Sequence, residues 1–163
     1  HHRGVALVTM ALTSALLCVF AVAAASNAAG EEFLRANTQK DGVKVMPSGL
    51  QFRVLEQSSS PTALRPTVSS PCECHYAGRL IDGTEFDSSI KRGRPATFAP
   101  NQVIKGWTEA MQMMHEGDKW ELYIPSELAY GDRPRGQYIK AGDVLIFTLE
   151  LIKVKSGGIS RHG

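Results

Sequence analysis

"VIKGWTEAMQMMHEG", residues 103–117, is the stretch on which the fold turns. Trp107, Ala110, Met111 and Met114 fall at i, i+3, i+4 and i+7, one apolar helix face, and Gly117 is the kind of residue that ends a helix. The spacing predicts a short amphipathic helix opening near Gly106. Its entrance is unusual. Helix N-termini favour Ser, Thr, Asp or Asn and an acidic first turn, whereas Val103, Ile104 and an indole stand at this one. The run "MQMMH" admits a copper reading, because thioethers suit that soft metal. Helical spacing instead sends Met111 and Met114 to the core with Trp107 and leaves only Met113 and His115 outside.

On either side of the helix the apolar period changes to two. Leu50, Phe52 and Val54 alternate with polar neighbours, as do Cys72, Cys74 and Tyr76, then Trp120, Leu122 and Ile124, then Leu145, Phe147, Leu149 and Leu151. Asp82 and Gly83 form a hairpin signal leading towards Phe86. These are strands with one buried and one wet face. "EQSSSPTALRP", residues 56–66, reads as a surface connection. One helix over an antiparallel sheet makes an α+β domain.

With 163 residues, 43% of them hydrophobic, 21% charged and a net charge of +2, the chain suits one domain with a real core. Lys and Arg are spread without blocks, so neither nucleic acid nor an anionic membrane is an expected partner. Arg3 followed by a nearly uncharged run over residues 5–22 and then small residues reads as a secretory signal over residues 1–28, cleaved after Ala25 or Ala28. If retained, that run would be a membrane anchor. A helical extension is expected over residues 29–46, its helix at 31–40, then the main domain over 47–155 and a loose polar tail over 156–163. So short a helix is no coiled-coil arm, and a monomer is expected.

Cys18 would leave with the signal, while Cys72 and Cys74 face one side of a strand and suit two small buried hydrophobes better than a strained bridge. "CECH" admits a metal reading, yet no second Cys or His cluster completes four ligands. No metal and no cofactor are expected. Six aromatics, Tyr76, Phe86, Phe98, Trp107, Tyr130 and Phe147, come from separate elements. Spacing alone leaves open whether they line a site for an apolar ligand or form plain core.

"HYAGRLIDGTEFDSS", "VIKGW", "WELYIPSELAYG" and "DVLIFTLELI", in that order, resemble the FKBP-type peptidyl-prolyl isomerases over residues 47–154. "GVKVMPSGLQFRVL", "RPATF" and "GWTEAMQMM" are most similar to the secreted macrophage infectivity potentiator branch. The resemblance implies a bent antiparallel sheet of about five strands wrapped around one short helix. It also implies a proline-sized pocket. Trp107 would be its floor, Val103 and Ile104 its rim, Tyr76, Phe86, Phe98 and Phe147 its walls, and Ile139 would lie on a loop above the mouth. Catalysis would rest on Asp87, Tyr130, Tyr76, Phe98 and Trp107, with the Ile104 N–H and the Tyr130 hydroxyl gripping carbonyls and Arg92 fixing Asp87. "FDSS" can equally be a simple turn.

The implied activity is rotation of Xaa–Pro bonds in proline-containing protein segments by a secreted enzyme, with macrolides such as tacrolimus or rapamycin as inhibitors. The rival reading is a non-catalytic proline-binding chaperone or host-surface binding module using the same pocket. Ala96 stands where many members carry another aromatic, and Arg135 and Lys140 where a His and a Pro often stand. These departures bear on macrolide affinity and substrate preference.

Overall fold

A computed structural model describes residues 25–161, so most of the expected signal, with Cys18, lies outside the described residues. The four period-two segments become strands β2 (Gln51–Glu56), β4 (Cys72–Leu80), β7 (Lys119–Ile124) and β8 (Leu145–Val154), and the hairpin signal leads into β5 (Glu85–Ser88). Short pieces join them: β1 (Lys44–Val45), β3 (Leu64–Arg65), β6 (Ala96–Phe98) and β9 (Ile159–Ser160). Seven strands form one antiparallel sheet in the order β1-β2-β7-β8-β4-β5, with β6 also on β4. The five expected strands are its body, and β1 and β6 are additions of two and three residues.

Strand β4 carries two partners on one edge. Cys72 to Cys74 pair with β6, and Ala77 to Arg79 pair with β5. Between them Ser89, fully buried, replaces a strand: its Oγ accepts the Tyr76 N–H at 2.8 Å and its own N–H donates to the Tyr76 carbonyl at 3.0 Å. Gly83, at φ +91°, makes the β4–β5 turn that Asp82 and Gly83 signal.

Helix α2 (Lys105–Met111) crosses the concave face with Trp107, Ala110 and Met111 buried. It is shorter than expected, because the Met113 and Met114 N–H groups both return to the Ala110 carbonyl in a closing turn. Met114 still reaches the core, at 0% exposure. Gly106 lets the helix approach the sheet, for a Cβ there would stand 2.6 Å from Ile124 Cγ2. Cys72 and Cys74 are free, buried thiols, and burial pushes the Cys74 thiol up to about 12 and that of Cys72 up to about 11.

The expectation of one wet sheet face needs correction. Helix α1 (Ala28–Asn37) covers the convex side of β2 and β7 and begins earlier than residue 31. Asn37 Nδ2 donates to Gln51 Oε1 at 2.9 Å, Gln51 Nε2 to the Leu34 carbonyl at 3.0 Å, and the Phe33 and Tyr123 rings lie 6.1 Å apart. Tyr123 and Ile146 are buried on this side, where buried Gln51 and Asn37 form a hydrogen-bonded pair that leaves Asn37 Oδ1 without a partner among the described residues. Asn27 caps α1 through the Gly30 N–H at 2.9 Å. The tail is likewise not wholly loose: β9 pairs with β3, inside the stretch read as a surface connection, and Gly158 allows the approach, since a Cβ there would stand 2.9 Å from Leu64 Cβ.

Candidate active site

The entrance of α2 opens into a cavity of about 480 Å³. Trp107, 4% exposed, forms its floor. Three rings stand almost perpendicular to the indole: Tyr76 at 5.1 Å and 80°, Phe98 at 5.9 Å and 85°, Phe147 at 5.2 Å and 88°. Edge-to-face contacts of this kind are favourable and hold each ring in place. Phe86 buttresses Phe147 at 5.5 Å, and Gly78 makes room for both, since a Cβ there would meet them at 2.6 and 2.7 Å. Ala96 is not among the residues lining the cavity.

Apolar residues at the helix threshold now have a physical reason. Val103 and Ile104 line the mouth rather than capping α2, and Ile104, as N-cap residue, offers no side-chain bond. The helix start is tied down instead by Thr108, whose Oγ1 donates to the Pro100 carbonyl at 2.6 Å. The Ile104 N–H donates to no described residue and remains available to a ligand carbonyl.

Asp87 is engaged on both oxygens. Oδ2 accepts the Tyr76 hydroxyl at 2.7 Å and Oδ1 accepts Arg92 Nη1, while Arg92 Nη2 donates to the Tyr76 oxygen at 2.7 Å. Burial works to raise the Asp87 pKa, but the bonds from Tyr76 and Arg92 prevail and hold it below the usual carboxylate value. Burial first, then the bond to Asp87, raises the Tyr76 phenol above its ordinary value. The carboxylate therefore orients a wall ring; "FDSS" is both the end of β5 and the source of this network.

Of the ten residues expected at the site, nine line the cavity: Tyr76, Phe86, Asp87, Phe98, Val103, Ile104, Trp107, Tyr130 and Phe147. Ile139 does not. It is buried at 6% in the core cluster, where its backbone pairs with Arg135. Gln102, Ala129 and Arg135 also line the cavity; the sequence singles out Arg135 only as a departure bearing on macrolide affinity and substrate preference, and Gln102 and Ala129 not at all. Gln102 and Ala129 directly precede "VI" and "YG", a proximity that could have found them. The Arg135 guanidinium carbon lies 5.3 Å from the Tyr130 ring centroid. Among the described residues no group of three or more His, Cys, Asp or Glu side chains could hold a metal ion, and no helix is long and apolar enough to cross a membrane.

The chain is 53% identical over 123 residues to a macrophage infectivity potentiator of Trypanosoma cruzi, covering 76% of this chain and 61% of that protein. It is 47% identical over 130 residues to an outer membrane protein MIP of Legionella longbeachae, covering 80% and 54%. The chain thus spans little more than half the length of these curated relatives. A solved peptidyl-prolyl cis-trans isomerase from Pseudomonas syringae superposes with a TM-score of 0.70 at 38% identity, over 78% of this chain and 92% of that one. Residues 18–54 match the family model described as the domain amino terminal to FKBP-type peptidyl-prolyl isomerase. Because residues 63–152, which carry the walls, the floor and the rim, match the family model described as FKBP-type peptidyl-prolyl cis-trans isomerase, the chain belongs to that family.

Proposed function

We propose that this chain catalyses rotation about Xaa–Pro bonds in protein segments. The observation that carries the reading is the indole floor ringed by three perpendicular aromatics, with a free N–H at the rim. Rotation must break amide resonance, a barrier of ~18–20 kcal/mol, and takes tens to hundreds of seconds unaided. Twisting removes the charge separation of the planar amide, so a dry aromatic cavity favours the twisted form, which is differential binding of the transition state. Lowering the barrier by ~4 kcal/mol gives about a thousandfold.

Trp107, Phe98, Tyr76 and Phe147 hold the prolyl ring, with Phe86, Val103 and Ile104 completing its surroundings. The Ile104 N–H and the Tyr130 hydroxyl, which bonds to no described residue, grip the flanking carbonyls. Asp87 with Arg92 is a positioning pair that fixes Tyr76. NMR exchange measured on a proline peptide with the full chain should show catalysis, competed by rapamycin and reduced several-fold in Tyr130→Phe. A folded chain that binds the peptide without accelerating exchange would leave only the holding role of a chaperone or host-surface module.

We further propose export, with cleavage after Ala25 of the two candidate positions. Ser26 Oγ accepts the Ser126 N–H at 3.1 Å and Asn27 caps α1, so both residues support the fold. Mass spectrometry of the exported form should give an N-terminus at Ser26, and a start at Ala29 would contradict this.

A further inference from the structure

We propose that Arg135 selects substrates that carry an acidic side chain next to the proline; the inference rests on the isomerase reading above. Two charged residues line the cavity, Asp87 and Arg135, and the first is neutralised from outside the lining by its ion pair with Arg92. Arg135 pairs with no carboxylate among the described residues. Its guanidinium instead lies over Tyr130, whose hydroxyl faces the proposed substrate.

The backbone beneath the cation is held in place. The Arg135 N–H donates to the Ile139 carbonyl at 2.9 Å and the Ile139 N–H returns to the Arg135 carbonyl at 3.3 Å. Gly136, at φ 61°, makes the tight turn between them, and buried Ile139 anchors it. Of the two acids in this loop, Asp143 is already committed, one oxygen to Asn27 Nδ2 and the other to the Lys140 N–H, and exposed Asp132 forms no ion pair with Arg135. Arg133 and Lys140 add charge of the same sign to the loop.

A substrate segment whose proline sits on Trp107 passes this guanidinium at the mouth. An acidic neighbour meets an unpaired, preorganised cation, and a basic neighbour meets repulsion. For an exposed pair held on a wall, the discrimination is about three- to tenfold.

The test compares kcat/KM for Glu-Pro, Leu-Pro and Lys-Pro peptides, and for the matching Pro-Glu, Pro-Leu and Pro-Lys set, with the full chain and its Arg135→Gln and Arg135→Glu variants. The Glu-to-Lys ratio within each enzyme is the readout, so a general loss of activity does not enter it. In the native chain the ratio should exceed about three in one of the two sets and shrink as salt rises. It should approach one in Arg135→Gln and invert in Arg135→Glu. A native chain that turns over Leu-Pro with a ratio of one in both sets, or a ratio unchanged by Arg135→Glu, overturns the role of Arg135 alone. No acceleration of any peptide overturns the isomerase reading instead.

Discussion

Ser89 shows how much one small side chain carries. It supplies the hydrogen bonds that a continuous edge strand would give Tyr76, at the point where β5 has ended and β6 has yet to begin. Ser89→Ala leaves the Tyr76 N–H buried without its partner, at a cost of about 1–3 kcal/mol. Urea denaturation should show that loss together with a lower kcat/KM, because the ring that Asp87 and Arg92 orient sits on the loosened residue; an unchanged midpoint would refute it. The same network sets the pH response. Asp87 is held below its ordinary value and Tyr76 above, so the first stays charged and the second protonated from about pH 5 to 9. The catalysed increment should be flat across that window. A depressed carboxylate contributes its full stability above its unfolded pKa, and the contribution fades as pH falls from there through the lower folded value. A bell-shaped profile centred near neutrality would mean that another group titrates in the site.

Two helices divide the labour at the scale of elements. The inward residues of α2 were legible in the sequence because a 3.6-residue period survives in "WTEAMQMM" even though the helix itself stops at Met111. Periodicity left open whether the aromatics made cavity or core, since both face inward, and only the family resemblance separated them. The docking of α1 was not legible. It depends on Asn27 reaching Asp143 across 116 residues and on Gly30 lying where a Cβ would press Val144 at 2.7 Å, and neither leaves a local pattern. Asn27 also donates its backbone N–H to the Gly142 carbonyl at 2.8 Å, so α1 clamps the end of the loop that carries Arg135 and Tyr138. Asn27→Ala should lower stability by about 1–2 kcal/mol and speed amide exchange over residues 131–143. Exchange unaltered in that loop would show that the clamp carries no strain to it.

At the scale of the whole molecule, both ends of the described chain are fastened, but to different regions. The N-terminal end is tied to the segments beside the cavity mouth. The C-terminal end is tied elsewhere: β9 pairs with β3, Arg161 Nη2 donates to the Ser58 carbonyl at 3.0 Å, and no described residue from 156 onward lines the cavity. That pairing escaped the reading of the sequence because two-residue strands are too short to show a period. The asymmetry predicts a separation of stability from activity. Ending the chain after Lys155 removes the β3–β9 pair and the Arg161 bond, a loss of about 1–2 kcal/mol, yet leaves the aromatic ring of walls and its Lys155-to-Pro71 backbone bond in place. Thermal unfolding should therefore shift down by a few degrees while kcat/KM on a proline peptide at 25 °C stays at the full-length value. If kcat/KM falls with the midpoint, the tail supports the cavity through the sheet, and the two ends of the molecule are coupled rather than independent.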